Sequence, residues 1–165
     1  MKIIGIIGLK NSGKTYLVQK IISNLTSKKF KVGSIKHAHH DFDIDHPGTD
    51  SFLHRKSGSK QVIISSAKRW AKIFELDNAN EKKLDELIKE FEDPEVVIVE
   101  GYKNEMHPKI EIIKDPKDAS SHMFNKLTNV IAIVSDTKII NFKKKQFNIN
   151  QINEIVEFIL NYKYE

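Results

Sequence analysis

Cysteine is absent from the 165 residues of this chain, which excludes disulfides and any zinc or iron–sulfur site held by thiolates. Long apolar runs are absent too: none approaches the ~18 residues that a membrane-spanning helix needs. The apolar stretch nearest the start, Ile3 to Ile7, has neither the charged beginning nor the small-residue cleavage site of a secretory leader. No internal repeat, low-complexity tract or linker marks a boundary. The expectation is one domain over residues 1–165, cytoplasmic and without a membrane partner. Hydrophobic residues at 39% and charged residues at 30% fit an ordinary soluble globular chain. The net charge of +5 comes with no groove-reading motif, so no nucleic-acid partner is expected. The one dense basic run, Lys143-Lys144-Lys145, reads as a solvated loop.

What the chain does have is Gly8-Leu9-Lys10-Asn11-Ser12-Gly13-Lys14-Thr15, which fits the phosphate-binding loop G-x-x-x-x-G-K-[ST] at every fixed position. Its flanks supply the required context. Ile3-Ile4-Gly5-Ile6-Ile7 is a β-branched run suited to a buried parallel strand, and Leu17, Val18, Ile21, Ile22 and Leu25 recur at helical spacing. In such a loop backbone N–H groups and the positive end of the following helix face an oligophosphate. Lys14 reaches the terminal phosphates, and the Thr15 hydroxyl ligates the magnesium ion that bridges them.

Further along, the first helix should cover Lys14 to Ser27 and a strand Val32 to His37, followed by a polar loop from Ala38 to Pro47. A short helix over residues 48–57 and a hairpin from Gln61 to Ser65 and Arg69 to Leu76 come next. Asn80 should cap a helix through Phe91, with Leu84, Leu87, Ile88 and Phe91 on one face. Val96 to Val99 reads as a buried strand ending on Glu100-Gly101, Ile110 to Ile113 as a short strand, and Lys114 to Asn125 as a loop. Val130 to Val134 is a third buried strand, ending on Ser135-Asp136, and Asn150 should cap the last helix. Apolar strands alternating with amphipathic helices predict an α/β fold in three layers, a mostly parallel sheet with helices on both faces.

Ligands in such sheets sit beyond the carboxyl ends of the strands. One rim therefore collects the phosphate loop, Lys36-His37, Glu100-Gly101 and Ser135-Asp136. Glu100 stands where phosphate-loop enzymes keep the acid that supports magnesium. The stretch His37, His39, His40, Asp41, Asp43, Asp45 and His46 is the most unusual cluster. Imidazole and carboxylate together suit zinc, nickel or iron, though at no helix-based metal spacing. Asp41, Asp43 and Asp45 alternate and share a face if extended, which also suits the outer shell of a magnesium ion, or a plain solvated loop. Asn125-Lys126-Leu127-Thr128 is not the guanine-reading N-K-x-D, because Thr128 replaces the aspartate; Ser135-Asp136 is better placed for a base. Guanine and adenine stay undecided on residue chemistry. No glutamine sits where it would position water, and Arg55 and Arg69 are only candidates for an arginine finger, so hydrolysis should be slow. Two other readings stand beside a nucleotide hydrolase: a small-molecule phosphate-loop kinase whose acceptor is held by Asp43 and Asp45, and a nickel or zinc carrier of metallochaperone type.

The chain resembles the molybdopterin-guanine dinucleotide biosynthesis protein B (MobB) family over nearly its whole length. The most specific part is Ile35-Lys36-His37-Ala38-His39-His40-Asp41-Phe42-Asp43-Ile44-Asp45, continuing through Pro47-Gly48 and Asp50-Ser51 to Arg55-Lys56 and Gly58. Val99-Glu100-Gly101-Tyr102-Lys103, Pro108-Lys109-Ile110-Glu111 and Val134-Ser135-Asp136 also look like the family, whereas Thr49 stands where a lysine is expected. The resemblance implies a phosphate-loop GTPase fold, weak hydrolysis of GTP with Mg2+, and a homodimer. It implies partnership with the molybdenum cofactor guanylyltransferase, with the molybdopterin cofactor as a further possible ligand. Gly8, Asn11, Ser12, Gly13, Lys14, Thr15 and Tyr16 then form the phosphate and metal set, and Ser135 and Asp136 the base side. Lys14, Asp43, Asp45 and Glu100 are the candidate catalytic groups, with Thr15, Asp45 and Glu100 as metal ligands.

Overall fold

The computed structural model describes residues 1–38, 42–76 and 81–163. Two compact units emerge, Met1–His37 with Leu84–Glu165, and Ala38–Lys83. In chain order the elements are β1 (Lys2–Ile7), α1 (Lys14–Ser27), β2 (Val32–Lys36), α2 (Asp50–Lys56), β3 (Gln61–Ser65) and β4 (Trp70–Phe74). There follow α3 (Leu84–Ile88), β5 (Val96–Glu100), β6 (Lys109–Ile112), β7 (Val130–Val134), β8 (Lys145–Phe147) and α4 (Ile152–Asn161).

The first unit is a six-stranded parallel sheet in the order β2-β5-β1-β6-β7-β8. Because both faces are covered, its inner strands must be apolar at odd and even positions alike, as the runs in β1, β5 and β7 are. Ile4, Ile6, Ile98 and Ile110 pack against Leu17, Ile21, Leu25, Ile155 and Ile159 of α1 and α4. On the other face Val97 and Val99 meet Leu84, Ile88 and Phe91, and Ile7 and Ile133 meet Phe124, Leu127 and Phe142. Side chains such as Ile6, Leu17 and Ile98 are wholly buried, each worth ~1.5–3 kcal/mol. That core fixes the rim on which the site is built.

Three local expectations differ from the structure. The helix expected through Phe91 ends at Ile88, because the N–H groups of Glu90 and Phe91 turn back to Leu87 and Ile88 in tighter i−3 bonds; Asn80 lies outside the described residues. Lys145 is not in a solvated loop but opens β8, which adds to the edge of β7. There Phe147 is buried, and the Gln146 amide donates to the carbonyls of Ile139 and Phe142 while accepting from the Ile139 N–H. At the last helix Asn150 is not the cap: α4 starts after Gln151 without a side-chain cap. The Asn148 and Gln151 side chains instead close the preceding turn on the N–H groups of Asn150 and Asn148.

The second unit holds α2 and the antiparallel hairpin β3-β4. Thr49, the position where a lysine was expected, caps α2: its hydroxyl accepts from the Phe52 N–H and donates to the His46 carbonyl. Arg55 is the centre of this unit. Its guanidinium donates to Asp43 at 2.8 Å, to both oxygens of Asp45 at 2.6 and 3.3 Å, and to Glu75 at 2.6 Å.

Candidate functional site

β1 delivers the chain to Gly8, where φ is +155° and a Cβ would lie 2.6 Å from the Ile112 carbonyl oxygen of β6. Only a residue without a side chain lets the turn pass that close to the neighbouring strand. Asn11 and Gly13 both take positive φ, 61° and 98°, and the loop folds back on itself with the Ser12 N–H donating to the Leu9 carbonyl. α1 then begins with no side-chain cap and no acidic residue in its first turn. Its first N–H groups and positive dipole end are thus left by the protein for an anion.

Three side chains define the chemistry. Lys14 folds over the loop, its ammonium donating to the carbonyls of Gly8 (2.9 Å) and Leu9 (2.6 Å). Burial pushes its pKa below the ordinary lysine value; Glu100 opposes that shift and Lys36 adds to it. Thr15 donates its hydroxyl to the Glu100 carboxylate at 3.2 Å. The contact spans 85 residues of sequence and exists because β5 lies directly beside β1, with Glu100 in register with Ile6. Ser12 is buried to 8% exposure, and its hydroxyl oxygen has no hydrogen-bond partner among the described residues. A buried, unsatisfied hydroxyl costs ~1–3 kcal/mol. Together with a glycine cradle, an ammonium and uncapped N–H groups, it is a donor set suited to phosphate oxygens. A hydroxyl beside a carboxylate suits a hard divalent cation.

Of the other sequence candidates, Tyr16 is half-exposed with the Lys20 ammonium over its ring at 5.4 Å. Ser135 and Asp136 directly follow β7. The Ser135 hydroxyl accepts from the Thr137 N–H and the Asp136 carboxylate from the Asn148 amide, both at 3.3 Å. In the second unit Asp43 and Asp45 are both held by Arg55. Burial would raise the Asp45 carboxyl, but its hydrogen bonds, Arg55 foremost, hold it below its ordinary value. Arg55 is therefore committed to carboxylates rather than presented as a finger. The His37 ring stacks on Tyr102 at 4.5 Å, and the His37 backbone N–H donates to the Glu100 carbonyl; His39, His40 and Asp41 lie outside the described residues. Among the described residues no group of three histidine or carboxylate side chains is placed to hold a metal ion.

Two groups escaped sequence reasoning as site-builders. Glu111, fully buried at the end of β6, accepts the N–H groups of Met123 and Phe124 at 2.7 and 2.8 Å and so pins the segment between β6 and β7. Asn148 orients Asp136 from beyond β8. Nothing in spacing announces either, since each partner becomes a neighbour only through the sheet.

A parallel sheet with a glycine-rich phosphate loop between β1 and α1, and an acid from the adjacent strand on the loop's threonine, defines the phosphate-loop NTPase class. The comparisons are more specific. The family model described as molybdopterin guanine dinucleotide synthesis protein B matches residues 3–136, and the chain belongs to that family. It is 34% identical to the molybdopterin-guanine dinucleotide biosynthesis adapter protein of Escherichia coli (strain K12), over 90% of this chain and 86% of that one. It is 33% identical to the protein of the same description from Haemophilus influenzae, over 97% and 88%. A crystal structure of molybdopterin-guanine biosynthesis protein B superposes with a TM-score of 0.76 at 26% identity, covering 96% and 97% of the two chains. Among the described residues no helix is long and apolar enough to cross a membrane.

Proposed function

We propose that this protein is a GTP-binding accessory protein of molybdenum cofactor maturation that assists the guanylyltransferase joining GMP to molybdopterin, and that it hydrolyses GTP slowly with magnesium. The observation that carries the nucleotide part is the Thr15–Glu100 contact beside a loop with an orphaned buried hydroxyl. The pathway rests on relatives described as adapter proteins of molybdopterin-guanine dinucleotide biosynthesis.

In this reading the loop N–H groups from Gly8 to Thr15 and the Ser12 hydroxyl donate to phosphate oxygens, and the Lys14 ammonium exchanges the Gly8 and Leu9 carbonyls for phosphate. Thr15 and Glu100 would hold magnesium, which supplies charge neutralisation across the terminal phosphates. Asn11 and Tyr16 flank the phosphates, and Ser135 with Asp136 stands on the base side. Asp43 and Asp45 enter as metal-side groups through the family resemblance alone; such a role trades their Arg55 partner for a cation. With Arg55 so occupied, slow turnover is expected. A homodimer is supported by the hairpin, where Ile63, Trp70 and Phe74 share one face and are 67%, 64% and 47% exposed. The reading places the protein in the cytoplasm, with the guanylyltransferase and its molybdopterin cofactor as partners.

Calorimetry with GTP and with ATP, each with magnesium, tests this. GTP should bind more tightly, and equal or absent binding of the two would overturn the guanine assignment. Lys14→Ala should weaken binding by a hundredfold or so, the loss of charge-assisted bonds worth ~1.5–3 kcal/mol each. Unchanged affinity would remove the phosphate role.

A further inference from the structure

We propose that Lys36 is a second cation of the phosphate site, contacting the terminal phosphate of a bound nucleoside triphosphate and so distinguishing it from the diphosphate. The inference rests on the nucleotide reading above and names a residue to which that reading gives no role.

Parallel register puts Ile6, Glu100 and Lys36 in one row across β1, β5 and β2. Register partners in adjacent strands point to the same face of a sheet. Ile6 packs in the core beneath α1, so Glu100 and Lys36 leave the sheet on the α1 side as well. The Glu100 bond to Thr15 confirms that direction. Neighbouring strands stand ~4.8 Å apart, which places Lys36 one strand beyond Glu100 and two from the phosphate loop. Two strand spacings come to about 9.6 Å, so a lysine stem of about 6 Å covers more than half of the distance and a phosphate chain leaving the loop covers the rest. Lys36 is near enough to Lys14 for its charge to be felt there.

The charges themselves point to an anion. The Lys14 and Lys36 ammonium groups are close enough to feel each other's charge on the sheet face that α1 covers, and the first turn of α1 carries no acid. Among the described residues the Lys36 side chain makes no hydrogen bond or ion pair, and Glu100 is the one carboxylate whose charge reaches Lys14. Like charges held together are repulsive, and a polyanion between them reverses the sign.

Position decides which phosphate. β1 divides the rim: β6 and β7, with Ser135 and Asp136, lie on one side, and β5 and β2, with Glu100 and Lys36, on the other. A nucleotide whose base lies on the β7 side and whose metal is held by Thr15 and Glu100 runs toward β2. Its last phosphate is then the one that meets Lys36. A diphosphate held by the same loop ends short of it.

Calorimetry with magnesium on Lys36→Met and Lys36→Arg, using a non-hydrolysable GTP analogue and GDP, tests this. Lys36→Met should bind the triphosphate analogue about tenfold more weakly and GDP within about twofold of the unaltered protein, with Lys36→Arg restoring most of the loss. Equal weakening toward both nucleotides, or toward neither, overturns the assignment of Lys36 alone. Should the unaltered protein bind neither nucleotide, with Lys14→Ala behaving identically, the nucleotide reading falls and this inference with it. Thermal melts establish that each variant is folded; if Lys36→Met is not, Lys36→Gln carries the same prediction.

Discussion

Replacing Gly8 by alanine puts the geometry of the phosphate loop to a quantitative test. Two costs are superposed at that position. The first is the backbone conformation, φ +155°, for which a residue with a Cβ loses about 1 kcal/mol. The second is contact: the new methyl would stand 2.6 Å from the Ile112 carbonyl oxygen, 2.7 Å from the Ser12 hydroxyl and 2.8 Å from Ile112 Cγ2. Ile112 belongs to β6, which is hydrogen-bonded to β1 on one side and β7 on the other, so its carbonyl cannot retreat without moving the sheet. Overpacking of this kind costs about 1–3 kcal/mol, for a total of roughly 2–4 kcal/mol. Gly58 is the control. Its φ is +101°, yet nothing lies within 4 Å of the position a Cβ would take, so Gly58→Ala should lose the dihedral part only, about 1 kcal/mol. Urea titration of both variants measures the difference, and calorimetry with a triphosphate reads its consequence. If Gly8→Ala costs no more than Gly58→Ala, the close approach of loop to β6 is not what demands glycine. If Gly8→Ala binds nucleotide normally, the loop does not depend on that approach.

Two further predictions concern pH. Both ring nitrogens of His107 are buried with no hydrogen-bond partner among the described residues, and burial, with Lys109 beside it, pushes its pKa down from 6.5 to about 4. The unfolded chain takes up that proton first as pH falls, so stability present above 6.5 is lost progressively toward 4, by as much as ~3 kcal/mol. His107→Gln should flatten the decline, and an unaltered slope in denaturant titrations at stepped pH would refute the cause. Glu111 behaves in the opposite sense. Burial raises its carboxyl above 4.5, against the pull of the Met123 and Phe124 N–H groups and of His122. Its contribution is full below that value and declines as pH rises through the folded pKa, whereas Glu111→Gln should show no such decline. Glu111→Ala, which strands two part-buried N–H groups, should cost ~2–5 kcal/mol; a loss below about 1 kcal/mol, the worth of one neutral hydrogen bond, would show the segment is held otherwise.

Much of the fold is legible along the chain because it follows from local patterns. Five apolar residues before a glycine loop and a helical repeat after it place β1, the loop and α1, and α1 runs over the expected Lys14–Ser27. The runs at Val96 and Val130 likewise announce strands buried on both faces. Where a pattern is short or its cause distant, the reading runs out. β8 has three residues in a lysine-rich stretch and becomes a strand only because the edge of β7 offers it partners. The helix after Lys83 has a repeat through Phe91, yet it tightens and stops at Ile88.

The same division holds for the site. Residue types at fixed spacing suffice to name Gly8, Lys14 and Thr15, since a phosphate loop is a local object whose donors come from one turn of backbone. What Thr15 meets, however, is set by the order of strands: Glu100 reaches it because β5 lies beside β1 and not at an edge. Likewise Arg55 reads as a free cation in one dimension, and three carboxylates claim it in three. Spacing can specify a loop because its atoms are neighbours in the chain. Pairings between distant side chains are decided by burial, which fixes the strand order, the register and hence the face on which each group emerges.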